Sequence, residues 1–152
     1  MNIKKRTIII RLVAIILMMA LTLSVGSLSA SAEAAQPRGS AYLSSYNAYI
    51  YPAGGGKVQV WFTVTGAGTQ EALGALTIQL YESTDNSTWK WVKAYSHNNY
   101  PDMMGYNDYY HSGHVDYQGV AGRYYRAYVC IWGGGLTIGD NRYFYTSAKL
   151  AN

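Results

Sequence analysis

The stretch that most restricts the fold of this chain is Tyr117 to Trp132, reading Y-Q-G-V-A-G-R-Y-Y-R-A-Y-V-C-I-W. A corner bracketed by Gly119 and Gly122 opens directly into a run rich in aromatic and β-branched side chains. That is the pattern of a turn entering a central β-strand.

The rest of the chain carries the same signal. Ala41 to Tyr51 alternates loosely and ends at Pro52-Ala53-Gly54-Gly55-Gly56, a strand closed by a turn. Lys57 to Thr65 has cleaner spacing, with Val58, Val60, Phe62 and Val64 on one face and Gln59, Trp61, Thr63 and Thr65 on the other. Gly66 to Gly74 reads as a connection, after which Ala75 to Glu82 alternates through Leu76, Ile78 and Leu80. Past a turn at Ser83 to Ser87, Trp89 to Tyr95 is a return strand with Trp89, Trp91, Lys93 and Tyr95 on one face. His97 to Tyr110 has no usable period and reads as a long loop; His111 to Tyr117 is a short strand. Gly133 to Asn141 is a second flexible connection, and Arg142 to Leu150 a last strand. About seven strands joined by turns, with no amphipathic helix, define an all-β chain folded as an antiparallel sandwich.

Residues 1–34 read as a cleaved signal peptide, 35–40 as a short linker and 41–152 as the sandwich domain. Lys4, Lys5 and Arg6 precede an apolar core from Leu12 to Leu23, and Ala30-Ser31-Ala32 and Ala32-Glu33-Ala34 are cleavage patterns. The expected location is therefore extracellular. The chain has 12 basic and 8 acidic residues, but Lys4, Lys5, Arg6 and Arg11 leave with the signal. The remainder is neutral, or +1 if Glu33 is also removed, which argues against nucleic acid or an anionic membrane as partner. The single cysteine, Cys130, excludes an internal disulfide and reads as a buried, inert thiol within the strand.

The V-x-V-W strand at Val58 to Trp61, the T-I-Q-L-Y-E-S strand with its W-K-W-V-K-A-Y return, and V-D-Y-Q-G-V-A-G-R-Y-Y-R-A-Y-V together resemble a fibronectin type III or related immunoglobulin-like domain. The phrases E-A-L-G-A-L-T-I-Q-L-Y-E-S and H-S-G-H-V-D-Y-Q-G-V-A-G are also similar to small secreted proteins of Gram-positive bacteria that have no assigned activity. The first resemblance implies that a tyrosine at the start of the sixth strand bonds back across the glycine corner; Tyr125 or Tyr124 is its equivalent. Tyr125, Ala127, Val129 and Ile131 then face inward, although Tyr124, Tyr128, Cys130 and Trp132 form a rival inward set.

In such a topology the long connections emerge at one end, a loop-built pole suited to recognition. That pole would carry Tyr100, Asp102, Tyr106, Asn107, Asp108, Tyr109, Tyr110 and Asp140, whose rings and polar groups suit a glycan or a surface protein. The tryptophans form a second candidate, an aromatic platform built from Trp61 with Gln59 and Thr63 or from Trp89 and Trp91, one of each pair being expected in the core. His111 and His114 are three apart, which on a strand puts them on opposite faces, so no metal site is expected, and no cofactor. With no G-x-S-x-G, H-E-x-x-H or phosphate loop, the expected function is non-enzymatic recognition at the cell envelope. The alternatives are a structural or matrix protein acting by self-association and a small secreted antagonist of other cells. No motif sets the oligomeric state.

Overall fold

The computed structural model describes residues 40–152, so the signal at 1–34 and most of the linker lie outside the described residues. The domain is an all-β, antiparallel, seven-stranded sheet that curls on itself. Its strands are β1 Leu43–Gly54, β2 Lys57–Ser83, β3 Lys90–Ser96, β4 Met104–Gln118, β5 Tyr124–Gly134, β6 Gly139–Tyr145 and β7 Lys149–Leu150. A single 3-10 turn, Pro101–Met103, precedes β4.

The element that sets this arrangement is β2, 27 residues long. A straight strand of that length would run about 90 Å, far beyond the dimensions of a domain of roughly 110 residues, so β2 has to bend. Its first half lies between β1 and β4, with Trp61 opposite both Tyr49 and His114. Its second half lies between β5 and β3, with Tyr81 opposite both Arg126 and Trp91. β6 and β7 then pair with β5.

This corrects the expected connection at Gly66 to Gly74, which lies within β2. The glycines there mark an irregularity inside the strand, since Thr65 pairs with Tyr110 and Gln70 with Asp108, leaving four β2 residues against one. Gly68 has φ +139°, and a Cβ on Gly66 would lie 2.6 Å from the Gly68 carbonyl oxygen. The expected long loop at His97 to Tyr110 is likewise mostly structured, because β4 begins at Met104. Residues 105–110 are partly or fully exposed, so both sides of this segment are free of the apolar alternation that identifies a half-buried strand. The connection after β5 shrinks to residues 135–138, closed by a Gly135 N–H bond to the Ile138 carbonyl of 2.8 Å. The last strand divides into β6 and β7.

Inside the curl, Val58, Val60, Phe62 and Val64 from one half of β2 meet Leu73, Ala75, Ile78 and Leu80 from the other, with the inner side of β5 completing the core. Burying each of these larger side chains contributes about 1.5–3 kcal/mol. On β5 the inward set is Tyr125, Ala127, Val129 and Ile131, all with no exposed surface. No tryptophan is buried, contrary to expectation, and the largest fully buried side chains are Tyr125 and Phe62. Trp91 and Tyr95 also part company. The register between β2 and β3 shifts at Val92, which leaves Tyr95 buried and turns Trp91 out to solvent.

The glycine corner is tied by Tyr125 rather than Tyr124. The Val120 N–H donates to the Tyr125 hydroxyl at 2.9 Å, and that hydroxyl donates to Glu82 Oε2 at 3.1 Å. Arg123 Nη1 holds the other Glu82 oxygen at 2.5 Å. Gly119 is required here, because a Cβ would lie 2.5 Å from the Tyr125 hydroxyl oxygen. The C-terminal residues close over the same corner, with Gly122 N–H bonded to the Ala151 carbonyl and Gly56 N–H to that of Asn152.

Tyr125→Phe is therefore expected to cost about 1–3 kcal/mol, since it removes the acceptor for a backbone N–H and a donor to Glu82. Gly119→Ala should also destabilise, by forcing the same ring aside. Because both changes strike one contact, the double variant should cost less than the two single losses together in urea unfolding. Full additivity would show that the corner is not a single tied unit.

Candidate functional site

Of the residues expected at a loop-built pole, Tyr106, Asn107 and Asp108 share one stretch of β4 opposite Gln70 to Ala72, while Tyr100 and Asp102 lie at a separate groove. Tyr100 and Asp102 stand at a groove of about 590 Å³ that is also lined by Lys93, Tyr95, His114 and Asp116. The Tyr100 ring lies edge-on to Tyr95, with centroids 5.1 Å apart. Tyr106 and Asn107 line a different groove with Glu71 and Leu136. Asp108 accepts from the N–H groups of Tyr109 and Tyr110, at 2.7 and 3.3 Å. Tyr109 and Tyr110 are exposed along β4. Asp140, at the start of β6, accepts from the Ser40 hydroxyl and faces Arg142 at 3.8 Å. Two of the three carboxylates in the set are thus engaged in hydrogen bonds within the protein, and these segments are largely strand in place of long loops.

In the first groove Tyr95 spans from β3 to β4, its hydroxyl donating to the Asp116 carbonyl at 2.6 Å. Burial, reinforced by Tyr100, Tyr117 and Asp116, pushes its ionisation up to about 12. The histidines have separate partners. His111 Nε2 is 2.9 Å from the Asp102 carbonyl, and His114 stacks on Trp61 with centroids 4.3 Å apart.

The two outer faces of the sheet hold most of the remaining aromatic residues. On the face of β1, β2 and β4, the row Tyr49, Trp61 and His114 borders the row Tyr51, Gln59 and Asp116. This face is internally bonded: Trp61 Nε1 donates to Gln59 at 3.1 Å, Gln59 Nε2 donates to Asp116 at 2.8 Å, and Lys57 lies 3.2 Å from the same carboxylate. The Gln59 bond, together with Lys57 and His114, holds the Asp116 carboxyl below its ordinary value.

The face of β3, β2, β5 and β6 is richer in rings. Register places Trp91, Tyr81 and Arg126 in one row, Gln79, Tyr128 and Tyr145 in the next, and Thr77, Cys130 and Tyr143 in a third. The rings form a connected ladder: Tyr128 lies 4.7 Å from Tyr145 and 5.9 Å from Tyr143, and Tyr81 lies 6.2 Å from Tyr145. Trp91, Tyr143 and Tyr145 are each half exposed. Cys130 is buried beneath this ladder, and burial raises its thiol pKa. None of these three rows contains a carboxylate.

Residues of this ladder other than Trp91 were not among the sequence candidates, yet a signal for them was present. Arg126 shares its phase with Tyr124, Tyr128, Cys130 and Trp132. A charge is costly in a core, so its presence marks that whole phase as outward.

No protein-family model, no curated protein and no solved structure matches this chain.

Alkaline pH provides a test of the Tyr95 tie. The folded-state pKa is raised, so its contribution is full below pH 10, the ordinary tyrosine value, and is lost as pH rises through about 12. Tyr95→Phe should lower stability by about 1 kcal/mol at neutral pH. It should also lose less further stability than the parent over that window, as read from urea midpoints at successive pH values.

Proposed function

We propose that this chain is an exported, non-enzymatic recognition module of the fibronectin type III-like or immunoglobulin-like kind, and that it binds glycan through the outer face of β3, β2, β5 and β6. The fold assignment is supported by the order of pairing: β1, the first half of β2 and β4 form one group, and β3, the second half of β2, β5 and β6 the other. The Tyr125 bond across the corner supports it further. Export is supported by the basic and apolar pattern of residues 1–34.

The observation that carries the glycan reading is the ladder itself. Three half-exposed rings and the packed rings of Tyr81 and Tyr128 share one sheet face with the hydrogen-bonding groups of Gln79, Thr77 and the tyrosine hydroxyls. Such rings can stack on the C–H faces of sugars while hydroxyls and amides pair with sugar hydroxyls, and their two-torsion side chains lose little entropy on contact. Neighbouring strands set these groups about 4.8 Å apart, so an extended polymer can engage several at once.

A glycan array with the purified domain tests this. Trp91→Ala with Tyr145→Ala should weaken any hit by tenfold or more, about 1.4 kcal/mol, with the unfolding midpoint checked separately. Tyr106→Ala with Tyr109→Ala, at the pole, should change binding by less than about twofold. If the second pair abolishes binding and the first does not, recognition belongs to the pole.

Self-association is a second reading, favoured by the outer edge of β1. Its twelve residues contain no charged side chain, the usual protection of an exposed edge, and only Pro52 interrupts it. Under that reading light scattering should show mass rising with concentration, and Ser45→Lys with Asn47→Lys on this edge should return the protein to monomer. A parent that stays monomeric at high concentration removes the reading.

A further inference from the structure

Arg126 stands apart from the other arginines described. Arg123 pairs with Glu82 and Arg142 with Asp140, whereas the Arg126 guanidinium has neither a carboxylate nor a hydrogen-bond acceptor among the described residues. Its Nε is buried and unpartnered. The head is held by rings instead, with Cζ 4.3 Å from the Trp89 centroid and 4.5 Å from that of Tyr145. A cation held over ring faces in this way uses none of its five donors on the rings.

A guanidinium held over two rings, with no protein carboxylate opposite it, at one end of a carboxylate-free aromatic ladder is complementary to a single oxyanion presented beside a stacking surface and received at its Nη groups. We infer that the ladder takes an acidic glycan, and that Arg126 receives the carboxylate or phosphate group carried by that polymer. The inference rests on the glycan reading above and specifies the class of sugar. Planar, two-pronged donation to a carboxylate or phosphate is the geometry at which a guanidinium outperforms an ammonium. One cation on an otherwise neutral face suits a polymer whose charges are separated by neutral ring surface. It does not suit nucleic acid, whose affinity comes from neutralising many adjacent phosphates.

The experiment uses the purified domain and three soluble polymers: laminarin as a neutral glucan, polygalacturonate for carboxylate, and poly(glycerol phosphate) for phosphate. Affinity is followed by calorimetry and by tryptophan emission, since Trp89 packs against Arg126. The parent should bind at least one acidic polymer roughly tenfold tighter than laminarin, and that preference should fall as salt rises from about 50 to 500 mM. The polymer preferred tells carboxylate from phosphate. Arg126→Gln should reduce the acidic-to-neutral affinity ratio about tenfold, and Arg126→Lys should restore only part of it. Competition on the parent protein is independent of whether the variants fold: where polygalacturonate is preferred, free galacturonate should displace it and galactose should not. Equal displacement by the two sugars, or a ratio that Arg126→Gln leaves untouched, overturns the inference. If laminarin still binds and its binding is lost in the Trp91→Ala, Tyr145→Ala variant, the glycan reading survives that failure. A parent that binds none of the three polymers overturns both.

Discussion

Because β2 is continuous through 27 residues, it cannot satisfy its backbone within one flat sheet, and the way it bends sets most of the domain's architecture. Each half needs a partner on both edges, so β1 and β5 share one edge in succession while β4 and β3 share the other. The bend then brings the inner side of the first half, from Val58 to Val64, over that of the second, from Leu73 to Leu80. A core forms between two stretches of the same strand. The glycines at 66 and 68 permit the irregularity, since a Cβ on Gly66 would collide with the Gly68 carbonyl and Gly68 adopts a positive φ, while Gly74 admits the close approach of Met103 and Met104.

The corner before β5 matters for the same reason. β5 is the central strand of the second group, and its entry is held by a hydroxyl shared between the Val120 N–H and Glu82, a residue of β2. That bond ties the turn, β5 and the far end of β2 through one buried ring. The terminal carbonyls of Ala151 and Asn152 pair with the same region, so two turns and the chain end share one hydrogen-bonded cluster.

Strands with one buried face were legible in the sequence because burial imposes a period of two. Val58 to Val64 is the clearest instance, and all four of its inward residues are fully buried. What could not be read directly were features in which that period fails for a physical reason. Glycines at an in-strand irregularity look the same in sequence as glycines ending a strand, so Gly66 to Gly74 read as a loop. After the buried Met104, residues 105–110 of β4 have no buried face, so Tyr106 to Tyr110 read as a loop too. A shift at Val92 put Trp91 and Tyr95 on different faces, which no alternating pattern anticipates. The candidate pole was placed on these same segments, which are largely strand. The outward phase of β5, in contrast, was marked by Arg126 and could have been recognised from that charge alone.

Aromatic residues on a sheet exterior have a structural use, since cross-strand ring pairs contribute about 0.2–1 kcal/mol each. The two outer faces nevertheless differ in how completely they satisfy themselves. On the β1, β2 and β4 face, Trp61, Gln59, Asp116 and Lys57 form a closed chain of donors and acceptors. Were ring packing the whole purpose of the other face, a neutral side chain at position 126 would fill the space between Trp89 and Tyr145 without bringing in a charge. Placing a guanidinium there, with a buried Nε and no acceptor, carries a desolvation cost that ring stacking offsets only in part. The buried Nε is out of reach of any incoming group, so an oxyanion could be received only at the Nη edge of this guanidinium, which no protein carboxylate occupies, and that open edge is what distinguishes this face from the internally bonded one.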